Sequence, residues 1–257
     1  MLISRLLTVI ACAAVAGVGS SVVAVGAEVV FQDTFDRDDA DAPGNDWVSV
    51  GKAVLQDKAA FFAGKEEEFR PRLTHRFPPQ NAGRVTVSFV MDWLREAEKT
   101  WSFHVQLGNS AEMPRLLVHK KDLSKGVGVN LLWGGGEPVG AQPAGSFGSV
   151  KNEEFRPLFV LNDRADEKTV VEKPVVTVEI DIDAGTYSVS FNGQTYPDLP
   201  FDNKVPLDTI RFVCSGCGAT GFSKSSIDDV TITRVEYKAH TSSSRVPPQK
   251  PRAEAPG

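Results

Sequence analysis

The chain has 257 residues, 28 Lys+Arg against 33 Asp+Glu, a formal charge of −5, and 41% hydrophobic residues. That is enough apolar material for one well-packed domain. The negative balance argues against nucleic acid or an anionic membrane surface as a partner.

Residues 1–27 open with Arg5, continue as an apolar run from Leu6 to Val18, and end in the small residues Val25-Gly26-Ala27. This is the pattern of a cleavable export signal, which would start the mature protein at Glu28. Gly17, Gly19, Ser20 and Ser21 break the run before the roughly 20 apolar residues a membrane span requires. No membrane span is therefore expected after cleavage, and the expected location is periplasmic or extracellular. Val9-Ile10-Ala11-Cys12 is a loose match to a lipoprotein signal, but only eleven residues precede the cysteine and the chain stays apolar after it.

Next comes an acidic segment, Asp33, Asp36, Asp38, Asp39, Asp41 and Asp46. If the first and last strands pair, Asp228 and Asp229 would join it and could supply the six to eight oxygens that Ca²⁺ takes. Asp33, Asp36 and Asp228 are the expected ligands of a structural calcium ion; the competing reading is a solvated acidic loop.

Val85, Val87, Phe89, Met91 and Trp93 alternate with polar residues, as do Trp101, Phe103, Val105 and Leu107. Period two over such lengths predicts half-buried strands. The stretch 134–148, with its glycines and Pro138 and Pro143, reads as a long irregular loop of the kind that is usually functional or mobile. Trp133 beside it and Tyr196 before Pro197 are the candidate aromatic platforms for a sugar ring, against a plain core role. Glu67-Glu-Phe-Arg-Pro71 recurs as Glu153-Glu-Phe-Arg-Pro157. Arg-Pro enforces extended backbone, so the repeat reads as a shared way into a strand.

Val176, Val178, Ile180 and Ile182 line one face of a further strand, a turn follows at Ala184-Gly185, and Tyr187, Val189 and Phe191 return to an Asn192-Gly193 turn. Asn-Gly between alternating runs is the strongest short hairpin signal. Ile210, Phe212, Val230, Ile232 and Val235 mark late strands. Many short strands with Gly, Pro and Asn turns predict an all-β, antiparallel two-sheet sandwich over residues 28–238. Residues 239–257, with four prolines and almost no large apolar side chain, read as a disordered tail. Removing Arg5 and the tail's Arg245, Lys250, Arg252 and Glu254 leaves 24 basic against 32 acidic residues, near −8.

Cys214-Ser-Gly-Cys217 can be a redox pair, half a zinc site or a structural disulfide. Zinc needs two further ligands, and the histidines are scattered; a thioredoxin-like pair belongs at a helix start, whereas glycines surround this one. A small Cys214–Cys217 disulfide is the expectation for an exported protein. No G-x-S-x-G nucleophile elbow is present.

Asp33-Thr-Phe-Asp-Arg37, followed by Gly44 and Trp47 and answered by Ile227-Asp-Asp-Val-Thr-Ile232, resembles the entry and closing strands of bacterial jelly-roll domains of the concanavalin-A-like lectin/glucanase group, laminin-G-like modules included. The resemblance implies a jelly-roll sandwich whose first and last strands lie side by side. The Asp-Gly turn frequent after the second strand of that group reads Asp57-Lys58 here. Glu179-Ile-Asp181-Ile-Asp183 looks like the E-x-D-x-E signature of laminarinase-type retaining glycoside hydrolases. That likeness implies Glu179 as nucleophile, Asp181 as its modulator and Asp183 as acid, although a shorter Asp replaces the last Glu beside a tight turn. The bland alternative is a hairpin with its polar side in solvent. Two functions follow as expectations: a secreted non-catalytic module recognising carbohydrate or a cell-surface partner through a sheet face and the Gly-rich loop, or a glycoside hydrolase-like enzyme of the same fold.

Overall fold

A computed structural model describes residues 23–24, 26–51, 53–62, 71–94, 101–111, 113, 128–135, 146–151, 154–160, 173–201, 205–215 and 224–238. Contacts divide the chain into two units, Gly26–Glu236 and a small one comprising Met1–Val25 with Tyr237–Gly257. In the small unit, strands β1 (Val23–Ala24) and β17 (Tyr237–Lys238) pair antiparallel.

The large unit is all-β among the described residues. One sheet has seven strands in the order β11 (Glu154–Val160), β10 (Ser146–Lys151), β9 (Gly128–Gly135), β8 (Trp101–Gly108), β15 (Leu207–Ser215), β6 (Arg72–Gln80) and β3 (Val48–Val50). The other runs β14 (Gln194–Pro200), β13 (Thr186–Phe191), β12 (Val175–Asp181), β7 (Arg84–Leu94), β16 (Lys224–Val235), β5 (Ala59–Phe62) and β4 (Ala53–Gln56). Strand β2 (Glu28–Asp33) also pairs with β16, Val230 lying opposite Asp33. Both sheets are antiparallel throughout, and the first and last strands of the unit are neighbours. The expected jelly-roll sandwich is what forms.

Alternation dictates which side chains meet between the sheets. Val85, Val87, Phe89 and Met91 of β7, Val176, Val178 and Ile180 of β12, and Phe103, Val105 and Leu107 of β8 are all buried. Aromatic rings tie the layers together: Phe212 of β15 meets Phe89 of β7 edge-on at 5.1 Å, and Phe62 of β5 meets Phe103 of β8 at 5.3 Å. His75 also points inward, stacked on Phe31 at 3.6 Å. Burial is the main influence on it and lowers its pKa, favouring neutral imidazole.

The stretch 134–148 corrects one expectation. Strand β9 runs through Gly135 and β10 starts at Ser146, with Gly148 opposite Leu132, so both ends of the supposed loop belong to the sheet. Residues 136–145 lie outside the described ones. The Arg-Pro pairs also diverge: Pro71 sits just before β6, whereas Pro157 is inside β11. A missing N–H is tolerated there because β11 is an edge strand.

Turns carry strain where the sequence allows it least. Asn192 (φ 46°) and Gly193 (φ 81°) make the left-handed pair a two-residue hairpin requires. Asp57 (φ 50°) and Lys58 (φ 61°) do the same without a glycine, supported by the Asp57 N–H donating to Asp39 Oδ1 at 2.9 Å and by Lys58 pairing with Asp36. Gly83 (φ 80°) has a second reason to be glycine, since a Cβ there would stand 2.4 Å from the Val235 carbonyl oxygen, whereas one at Gly193 would meet nothing within 4 Å. Gly193→Ala should therefore lose about 1 kcal/mol in urea denaturation, the left-handed cost alone. Gly83→Ala should lose about 2–4 kcal/mol, because overpacking against a backbone carbonyl adds to it. Equal losses at the two sites would refute this reading of Gly83.

Candidate functional site

The seven-stranded sheet has an outward face that is polar yet largely closed to solvent. Inward positions of β8 are Phe103, Val105 and Leu107, so His104 and Gln106 point the other way, and both are buried. Register sets Gln106 between Asn130 of β9 and Arg211 of β15, and Arg211 opposite Thr74 of β6, which faces Val48 of β3. This row crosses five strands. Val48 is 62% exposed and Gln106 1% exposed, so the row descends from an open end at β3 to an enclosed end at β8 and β9.

At the enclosed end the Gln106 amide Nε2 donates to Asn130 Oδ1 at 3.1 Å. Its other amide atom, Oε1, is buried with no hydrogen-bond partner. Such an orphan acceptor costs about 1–3 kcal/mol. In native structures it calls for an explanation. Thr209, with its hydroxyl on Asp208 Oδ1 at 2.7 Å, and Val213 complete the buried part of β15's outward side.

At the open end three arginines converge. Arg72 and Arg76 flank Thr74 at alternate positions of β6, and Arg211 lies across from Thr74, its Nε 3.4 Å from Thr74 Oγ1. Burial brings the Arg211 guanidinium down to about 10, and repulsion from Arg72 and Arg76 acts in the same direction. The seven strands hold Arg72, Arg76, Lys151, Arg156 and Arg211 against Glu154 and Asp208. The strands of the other sheet, β2 included, hold three basic and eight acidic residues. Among strand residues, then, the seven-stranded layer carries a positive balance and the other layer a negative one.

None of the residues singled out in the sequence belongs to this row. Glu179 and Asp181 of β12 face away from the core on the eight-stranded sheet, where Glu179 is exposed. Asp181 pairs with Arg84 at 3.3 Å and accepts the Ala184 N–H at 2.9 Å, and the exposed Asp183 accepts the Gly83 N–H at 2.9 Å. Asp181 and Asp183 thus fasten a hairpin, and Glu179 stands exposed on the same strand.

Asp33 is buried and its carboxylate is saturated. Oδ1 accepts the Phe35 N–H at 2.8 Å and Arg37 at 2.7 Å; Oδ2 accepts Arg37 at 2.9 Å and the Trp47 indole N–H at 2.8 Å. Burial alone would raise this carboxyl's pKa, but donors from Arg37, Phe35, Asn45 and Trp47 together hold it below the ordinary value. The Asp33…Arg37…Trp47 motif is thus a structural knot. Asp36 is exposed and bound to Lys58 at 2.6 Å, while burial raises the pKa of Asp228, whose Oδ1 accepts the Asp229 N–H. Among the described residues no group of three or more His, Cys, Asp or Glu is placed to hold a metal ion, so the expected calcium ligands are not gathered there. A buried carboxylate already holding four donors has no lone pair left for a cation.

Trp133 lies within β9, opposite Phe103 and Phe147. Tyr196 lies on edge strand β14, partly buried, with the Arg156 guanidinium 4.9 Å above its ring and bonded to its hydroxyl. It clasps the two sheets together. Cys214 is buried on β15, and Cys217 lies outside the described residues. Also among the described residues, no helix is long and apolar enough to cross a membrane.

The polar row went unrecognised because alternating polar residues on a strand read as a wet face. One signal was available: Ser102, His104 and Gln106 are uncharged, whereas solvent faces usually carry Lys or Glu.

No protein-family model matches the chain, and no curated protein is significantly similar to it in sequence. Solved structures do share its fold. The carbohydrate recognition domain of Emp47p matches with a TM-score of 0.55 and 10% identity, over 79% of this chain and 93% of that one. The CBM2 module of the evolved Dit of Lactobacillus casei BL23 phage J-1 gives 0.54 and 9%, over 81% and 96%. A Bacillus subtilis protein of unknown function with a galectin-like fold gives 0.52 and 10%, over 84% and 100%. At such identities the likeness establishes a lectin-like β-sandwich.

Proposed function

We propose that this protein is an exported, non-catalytic carbohydrate-recognition module of the concanavalin-A-like kind, binding its glycan on the outward face of the seven-stranded sheet. One observation carries the reading: a row of uncharged polar side chains, Gln106 and Asn130 with His104 beside them, is buried on a face turned away from the core, and Gln106 Oε1 has no donor. Sugar hydroxyls are donors and acceptors together, and an amide pair fixed by its own hydrogen bond presents both complements. The structural neighbours described as carbohydrate-binding support the same reading, as an analogy of fold. Export is supported by the residue pattern of 1–27, and the enzymatic alternative by nothing in the placement of Glu179, Asp181 and Asp183.

The test is a glycan array with wild type, Gln106→Ala, Asn130→Ala and Glu179→Gln, with product analysis on every hit. Each loss of a glycan hydrogen bond at Gln106 or Asn130 should weaken binding about tenfold, equivalent to about 1.4 kcal/mol. Glu179→Gln should bind as wild type. Binding indifferent to both amides, or cleavage that disappears with Glu179, would overturn the proposal.

A further inference from the structure

We infer that His75 makes the entry corner of the sandwich acid-sensitive: when its imidazole takes up a proton, strand β2 and the turn carrying Trp47 come away from β6 while the two sheets hold. The inference is independent of the glycan reading.

His75 occupies an inward position of β6 between Leu73 and Phe77, opposite Ile210 of β15. The Phe31 ring of β2 stacks on it at 3.6 Å, and the Trp47 ring lies 5.2 Å away. One ring N–H donates to the backbone carbonyl of Asp46, whereas Nδ1 is buried with no hydrogen-bond partner. An imidazolium has a donor at both nitrogens, so protonation would leave a buried, charged N–H without an acceptor. The charged groups that face the ring are Asp33, at the end of β2, and Asp46, and both favour the proton. Neither removes the cost. Asp33 already accepts four donors, two of them from Arg37, and burial remains the largest influence on the ring. Strand β3 carries no charge, and the inward residues of β15 and β16 at this corner, Ile210, Phe212, Val230 and Ile232, are apolar.

The part that yields is the entry segment. Strand β6 is held by β15 on one side and β3 on the other, whereas among the described residues β2 pairs with β16 alone, across a register shift between Ile232 and Thr233. The turn before Trp47 is strained, since Gly44, Asn45 and Asp46 have left-handed φ of 71°, 50° and 60°. Such backbone persists only while its surroundings hold it. The sign of the pH effect is definite. Burial holds the His75 pKa below the ordinary 6.5, so the stability of this corner is full above 6.5 and is lost as pH falls from there through the folded value. Asp33 loses its contribution only below 3.8, and the raised carboxyl of Asp228 acts in the opposite sense, its contribution being lost as pH rises. With one proton separating the two states, opening becomes easier by up to about tenfold per pH unit.

The experiment is hydrogen exchange of the full chain read by mass spectrometry at about pH 7.5 and about pH 5, each rate divided by the chemical exchange rate at that pH. Expected is a loss of protection of about tenfold over residues 28–47 on acidification, with residues 175–191 of β12 and β13 unchanged. His75→Phe keeps the ring stack without a titrating group and should abolish the acid-dependent loss. Should that variant fail to fold, proton NMR of the wild-type imidazoles supplies the second readout: the ring identified by its nuclear Overhauser contacts to Phe31 should titrate below 6.5 or stay neutral. Protection lost equally over 28–47 and 175–191 would reveal a general acid effect and overturn the inference. A loss over 28–47 that persists in His75→Phe, or a His75 that titrates at or above 6.5, would overturn it as well.

Discussion

Asp33→Ala should destabilise the sandwich by about 3–5 kcal/mol, the range for removing one partner of a buried ion pair. The loss exceeds that of an ordinary hydrogen bond because three different groups lose their acceptor at once: the Arg37 fork, the Phe35 amide and the Trp47 indole N–H. Asp33→Asn should recover little, since an amide nitrogen would meet donors where the carboxylate offered lone pairs. The pH dependence has a definite sign. The folded-state pKa lies below the ordinary 3.8, so the stability this group contributes is fully present above that value and is lost as pH falls through the lower folded value. Urea denaturation at pH 7 and in steps below pH 4 should show acid destabilisation in wild type that is blunted in Asp33→Asn. A loss under 1 kcal/mol at pH 7 would show that the knot is not structural.

Phe212→Ala should cost a further class of energy, about 3–5 kcal/mol from lost burial and the cavity left behind. Phe212 is fully buried and meets Phe89, Phe103 and Trp47, so its removal opens a void where both sheets and the entry motif touch. Set against a total stability of about 5–15 kcal/mol, that is a large share. For a unit of this size a thermal melt should fall by about 6–20 °C. Phe212→Leu, which keeps most of the volume, should fall by much less. Similar melts for the two variants would mean that the rings do not pack as a unit.

How far the sequence reveals these features depends on period and charge. Strands β7, β8, β12 and β13 are legible because apolar residues recur every second position, and the Asn192-Gly193 turn fixes a hairpin by itself. Strand β6 is hidden: His75 interrupts its inward face, three polar residues occupy the other, and Pro78-Pro79 mimic a loop. The register shift where β6 meets Leu207 and Thr209 accommodates that irregular end. Glycines at 134, 135 and 148 disguise β9 and β10, since sheet hydrogen bonding is indifferent to the absence of a side chain. The site was the least legible part, because residues far apart in sequence, such as Thr74, Gln106, Asn130 and Arg211, become neighbours only through strand order. The acidic trio at 179–183, conspicuous in the sequence, follows the pleat through Asp181 and leaves it at Asp183, which lies in the turn.

Strand β16 is inserted between β7 on one side and β2 with β5 on the other, and it is among the last parts of the unit to be made. Arg234 and Glu28, joined across this seam, are 206 positions apart. Until residues 224–235 exist, the eight-stranded sheet is three pieces, β14-β13-β12-β7, β5-β4 and a lone β2, with β7 presenting a long raw edge. Closing such distant ends costs chain entropy before any contact rewards it, so assembly should be slow and complete only once residues 224–235 are made. The chain in effect measures itself: a product that stops before residue 224 lacks the keystone and should stay open to proteases.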